Sequence, residues 1–204
     1  VFMVEVEKVA VLLQSGKTID VHAWSGSDKA LPMIIVAPEA ATSDWHNFVE
    51  FLSPSHSPIH VDVRSAYDLL LLIWEIGEPA LVLAQGQSAV EMVGELVVSS
   101  PAAASSIVIS DGEISETNIS SIHEIETLIL RGRQGKALSH EAAVRMHASL
   151  RNSILTEPEN CGDFPAKDNP DATAGAVNWF IGGTSAKIDS PGGSEPVDPK
   201  PSAL

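Results

Sequence analysis

The stretch Leu81–Met92, LVLAQGQSAVEM, decides how the rest of the chain is read. Leu81–Ala84 is a short continuous apolar run, of the kind a strand buried on both faces requires. Gly86 breaks it and Ser88 follows two residues later. From Ala89 to Ser99 apolar residues recur at helical spacing. The stretch therefore predicts a buried strand, a tight turn and a helix, with a serine close to the turn.

The same alternation extends in both directions. Val4–Leu13 and Thr18–Trp24 read as strands joined by Ser15-Gly16-Lys17, and Met33–Ala37 as a buried strand. Trp45, Phe48, Val49 and Leu52 fall at helical spacing from about Ser43, and Pro54 and Pro58 are expected to end that helix. Ile59–Val63 follows as a strand and Ser65–Ile76 as a helix stopped by Gly77. Downstream, Ser106–Ser110, Thr127–Leu130 and Ile154–Leu155 read as strands. A short polar helix or loop runs to Glu124, Ser139 caps a helix through Leu150, and Asp171–Ile181 is the last helix. Apolar strands alternating with helices imply an α/β fold, a mostly parallel sheet of about eight strands with helices on both faces. Residues 1–183 are expected to form one domain. Residues 184–204, rich in Pro, Gly and Ser, lack an apolar face and are expected to be a disordered tail.

Composition narrows the function. The 204 residues carry 12 Lys and Arg against 27 Asp and Glu, a net charge of −15. Neutralising phosphates needs clustered cations, so no nucleic-acid partner is expected. No apolar run reaches the roughly 20 residues of a membrane helix, so no membrane association is expected. The start shows no basic segment followed by an apolar one, and the lone Cys161 has no internal disulfide partner. Both fit the cytoplasm. No G-x-G-x-x-G follows the first strands, which speaks against a dinucleotide site. His140 and His147 are seven apart with Val144 between, so they make no i,i+4 pair, and neither a metal nor a cofactor is expected.

An open α/β sheet places its site at the carboxyl ends of the strands. Four strings there, in order, resemble the α/β-hydrolase family across roughly Glu5 to Ile181. Asp62-x-Arg64 follows the fourth strand. The Gly86–Val90 turn is close to G-x-S-x-G, with Val90 in place of the last glycine. Asp111 follows the sixth strand and ETLILRGRQG looks like the seventh. ENCGDFPAKDNPDATAGAVNWFI looks like the histidine loop and final helix. The short connection from Asp111 to Thr127 leaves no room for the cap domain that family members usually insert there.

Carried over residue by residue, the resemblance gives Ser88 the nucleophile position on a strained turn, with Gly86 allowing close backbone approach. Val90 is expected to crowd that turn or push the helix outward. The backbone N–H of Ala89 would be one oxyanion donor. The second would come from Ala37–Ala40, where Pro38 has no N–H and Glu39 places a negative charge. The acid position falls on Gly135 and the histidine position on Asp163. Neither residue type supplies the base of pKa near 7 that a Ser-His-acid triad requires. Asp111 is the alternative acid; His140 and His46 are alternative bases. The resemblance thus implies a lidless member with a reduced triad, acting as a non-catalytic or weakly active binding protein. Its partner would be a small acyl compound or another protein. The alternative is a small serine esterase or thioesterase using Ser88 with a histidine elsewhere.

Overall fold

The computed structural model describes residues 5–24, 30–52, 54–77 and 79–188. Eight strands form one sheet: β1 (Val6–Leu12), β2 (Thr18–Trp24), β3 (Leu31–Val36), β4 (His56–Val61), β5 (Ala80–Gln85), β6 (Ala104–Ser110), β7 (Thr127–Leu130) and β8 (Ser153–Thr156). Their spatial order is β1-β2-β4-β3-β5-β6-β7-β8. β2 pairs antiparallel with β1 and β4, and every other neighbouring pair is parallel. The order of the strands reverses at β3, between β4 and β5, and an open sheet of this kind leaves a crevice at that point.

The helices are α1 (His46–Glu50), entered through a 3-10 turn at Thr42–Trp45, α2 (Ala66–Ile76), α3 (Gln87–Ser99), α4 (Glu116–Ile122), α5 (His140–Ser149), α6 (Pro165–Asp168) and α7 (Pro170–Ile188). They cover both faces, and the period-two alternation of the strands divides the core accordingly. Ile34, Val36, Val82, Ala84, Ile107 and Ile109 pack with α2 and α3 on one face. Met33, Ile35, Leu81, Leu83 and Val108 pack with Trp45, Phe48, Val177 and Phe180 on the other. Burial of both faces is why these strands are written almost without polar residues.

Several boundaries differ from the sequence expectation for physical reasons. β4 begins at His56 and runs through Pro58, which was expected to be a breaker. Pro58 pairs with Met33 of β3, but the register with β2 starts only at Ile59, so no ladder bond needs its missing N–H. α3 begins at Gln87, two residues before the expected Ala89. Ser65 caps α2 by accepting the Asp68 N–H at 3.1 Å, and Gly77 ends the helix at φ 83°. α7 continues to Ile188, five residues into the stretch expected to be tail. Residues 189–204, and the start of the expected first strand at Val4, lie outside the described residues. No helix among the described residues is long and apolar enough to cross a membrane.

Candidate functional site

The turn after β5 is set by its last ladder bond. Gly86 N–H donates to the Ser110 carbonyl of β6 at 2.8 Å, so pairing persists to residue 86. The Gly86 carbonyl already accepts from Val90 N–H at 3.1 Å, the first bond of α3. One residue must turn a strand into a helix, and it does so at φ 82°, ψ 165°. That left-handed φ is what requires glycine, because a Cβ added there would meet no atom within 4 Å. The expectation that Gly86 serves close backbone approach is thereby corrected.

The strained position is two residues earlier than the sequence suggested. Ser88 is the second residue of α3, with ordinary helical backbone, and is exposed. It faces a shallow cavity of about 280 Å³ with Pro38, Arg64, Ser65 and Glu91. Ala89, expected as an oxyanion donor, is fully buried in the first turn of α3. Val90 neither crowds the turn nor displaces the helix. It is buried against Gly112, where a Cβ would stand 2.6 Å from Val90 Cγ2, so the missing side chain at 112 makes the room.

Gly86 instead opens on a second cavity of about 420 Å³, at the carboxyl ends of β3, β5 and β6. Gln85, Gln87, Asp111, Asp163 and Glu39 line it. Asp111 follows β6 at φ 48°, a left-handed conformation that Asp tolerates better than most residues. It is 1% exposed, and neither carboxyl oxygen has a hydrogen-bond partner. Burial pushes its carboxyl up to about 7, and the neighbouring Asp163 and Asp168 charges add to the rise. The Gly132 N–H and the Arg131 guanidinium oppose it, the former without reaching full hydrogen-bond geometry. Arg131 gives little more, being committed to Leu138 O at 2.7 Å and Glu157 Oε1 at 2.8 Å. An unpaired buried polar group of this kind costs on the order of 1–3 kcal/mol. Gln85 carries a second such atom. Its Nε2 donates to the Asp163 carbonyl at 2.8 Å, while Oε1 is buried without a partner.

Asp163, in the loop after β8, ties down the loop after β7. Its Oδ1 accepts the backbone N–H groups of Lys136 and of Ala137, the latter at 2.8 Å. Gly135 lies directly beneath. A Cβ there would be 2.9 Å from Asp163 Oδ1 and 3.0 Å from the Gly132 and Gly162 carbonyls. Gly132 is tighter still, its Cβ position 1.9 Å from Gly162 O. The loops after β7 and β8 are thus pressed together backbone to backbone. They meet through glycines where the expected acid and histidine positions come together.

No family model and no curated relative matches the sequence. Solved structures do match the fold. A membrane phospholipase A described as a bacterial virulence factor superposes with a TM-score of 0.72 at 13% identity, over 88% of this chain and 87% of that one. The haloalkane dehalogenase DbeA from Bradyrhizobium elkani USDA94 gives 0.74 at 12% identity, over 90% and 100%. An alpha/beta hydrolase from Novosphingobium aromaticivorans DSM 12444 gives 0.72 at 13% identity, over 88% and 99%. The chain has the α/β-hydrolase fold.

Within this α/β-hydrolase fold the histidines stand away from the cavity. His140, expected as an alternative base, is exposed at the start of α5, with Nδ1 2.9 Å from Glu157 Oε1. His46 has Nδ1 3.3 Å from the Ser43 carbonyl and its ring edge-on to Trp24 at 5.8 Å. His60 is buried in β4. Its Nε2 faces the Ala37 carbonyl at 3.4 Å and so carries the proton, leaving Nδ1 to accept from Thr42 Oγ1 at 3.0 Å. Burial holds its pKa below the usual histidine value. Among the described residues no imidazole lines either cavity. Nor does any group of three or more His, Cys, Asp or Glu there have the arrangement of a metal site.

Sequence reasoning missed Gln85 and Lys167, which both line the larger cavity. Lys167 Nζ pairs with Asp44 Oδ1 at 2.8 Å across its edge. The polar Gln85 ending an otherwise apolar strand was the available signal. The Lys167–Asp44 pair, joining residues far apart in sequence, had none.

Proposed function

We propose that this protein is a non-catalytic α/β-hydrolase-fold protein that binds a small molecule in the cavity beside Gly86. The observation that carries this reading is the backbone of the turn after β5. Its left-handed residue, where an exposed nucleophile would have to stand, is a glycine without a side chain. Ser88 sits two residues further on and faces a different cavity, with no imidazole among its lining residues. A serine without a base is a poor nucleophile near neutral pH. The Asp163 carboxylate, in the loop that resembles a histidine loop, is engaged with the backbone of residues 136 and 137. Glu39 beside the turn places negative charge where an oxyanion would need donors. What remains is a preformed concavity with a few convergent polar groups, within the volume range of small-molecule sites.

The test is a pair of assays on the wild-type chain and Ser88→Ala. Neither protein should label with a fluorophosphonate probe. Both should hydrolyse p-nitrophenyl acetate at the same rate, since loss of triad function costs about 10⁴–10⁶ in turnover. Labelling or rapid turnover that disappears in Ser88→Ala would overturn the reading and favour an esterase using that serine.

A further inference from the structure

Among the residues lining the cavity beside Gly86, two hold buried acceptors that the donors of its wall do not reach. Both carboxyl oxygens of Asp111 and Oε1 of Gln85 are buried and unpartnered, and both residues line it. Gln85 cannot relieve its oxygen by turning its amide over. Its Nε2 donates to the Asp163 carbonyl, a group that only accepts. The other polar groups on the wall, Glu39 apart, are engaged. Asp163 Oδ1 takes two backbone N–H groups, Asp44 is paired with Lys167, and Gln87 exchanges two hydrogen bonds of 2.9 Å with the Glu113 backbone. Glu39 adds an exposed carboxylate, and the half-buried ring of Phe164 an aromatic surface.

Resting on the binding reading above, we propose that this cavity takes a small aliphatic primary ammonium compound, its N–H groups donating to Asp111 and to Gln85 Oε1. An ammonium group is the match because it offers three donors and no acceptor. A hydroxyl brings an acceptor as well as a donor, and a carboxylate brings acceptors alone, against a wall that already has too many. The apolar part of the ligand lies along Phe164, Ala40 and Ala137. The ring of Phe164 favours a nearby cation further. Binding draws on the ionised form of Asp111. The charged groups acting on that carboxyl are Arg131 from the loop after β7 and Asp163 and Asp168 from beyond β8. Glu39 and the Asp44–Lys167 pair complete the cavity wall.

The probes are n-butylammonium chloride, n-butanol and sodium butyrate, titrated into the full chain while the amide spectrum is followed by nuclear magnetic resonance. Butylammonium should give saturable shifts at the Gln85 side-chain amide and the Gly86 N–H, and the alcohol and carboxylate should give none. Affinity should rise about tenfold from pH 6 to pH 8, as a carboxyl with a pKa of about 7 passes to its ionised form. Asp111→Asn should abolish saturation, and Gln85→Leu should weaken it severalfold, so that two variants report should one fail to fold. No saturable shift, an equal response to butanol, or undiminished binding by the folded variants would overturn the proposal. A chain that binds no butylammonium and hydrolyses no ester loses this inference but keeps the non-catalytic reading. Ser88-dependent turnover removes the latter instead.

Discussion

Replacing Asp111 with asparagine removes the one described carboxyl that the fold holds protonated far above its ordinary range. The folded carboxyl has a pKa of about 7, against 3.8 for an unperturbed aspartate. Below pH 3.8 both folded and unfolded chains hold the proton and nothing is lost. Between 3.8 and 7 the unfolded chain releases it while the folded chain keeps it. Stability therefore falls as pH rises, by about 1.4 kcal/mol per pH unit. Above 7 both forms are ionised and the cost is complete, on the order of 4 kcal/mol. Asparagine keeps the shape, tolerates the left-handed φ of 48° and carries no titrating proton. Other groups titrate in the same experiment. Hydrogen bonds from Lys167, Lys17 and His140 lower Asp44, Asp68 and Glu157 respectively, so their contributions are lost only as pH falls into the acid range. Burial lowers His56 and His60, which therefore destabilise the fold on acidification. Wild type and variant share all of these, so the difference between them isolates residue 111. Urea unfolding at pH 5, 6, 7 and 8 should show the variant gaining on wild type with each step and levelling off above 7. In melting temperature the gap should widen by roughly 3 °C per pH unit for a chain of this size. A pairing defect of the new amide would shift the variant by a constant amount, so the slope decides. Parallel curves, constant within about 0.5 kcal/mol, would refute the argument.

Four further outcomes follow from the Gly112 contact, the Asp163 hydrogen bonds and Ser88. Gly112→Ala should destabilise by about 1–3 kcal/mol, because its Cβ would stand 2.6 Å from Val90 Cγ2. Adding Val90→Ala should restore part of that, with a coupling energy of at least about 1 kcal/mol in a double-mutant cycle. Asp163→Ala should cost about 1–2 kcal/mol and speed amide exchange at Lys136 and Ala137, whose N–H groups its carboxylate accepts. Ser88→Ala should leave urea stability within about 0.5 kcal/mol of wild type, since the side chain is exposed on the first turn of α3.

The sheet was legible because its strands are buried on both faces. Ile34, Val36, Val82 and Ile107 serve one core, and Met33, Ile35, Leu83 and Val108 the other. A strand with two apolar faces is written as a run with little room for anything else. The turn was less legible, although its residues were quoted from the start. Gly86 and Ser88 sit at the spacing of G-x-S, which drew the strained position onto the serine. What fixes that position is the Gly86 N–H bonding to Ser110 of β6. The register of β5 against β6 is not written inside the turn, so local spacing could not reveal it.

The same holds for the loops after β7 and β8. Gly132 faces Gly162, and Gly135 faces the Asp163 carboxylate, across more than twenty residues of chain. Read one at a time, Gly135 and Asp163 look like two independent gaps in a triad, each open to repair by one substitution. In the fold they are one contact. A side chain at 135 would enter the space that the carboxylate of 163 occupies, and that carboxylate also holds the backbone of residues 136 and 137. Filling position 135 without vacating 163 forces the two loops apart. Vacating 163 alone releases two backbone donors that have no other described acceptor. Any return toward a side chain at the acid position must therefore change both residues together and supply a new partner for the loop, while the turn after β5 still presents Gly86 rather than Ser88 to the cavity.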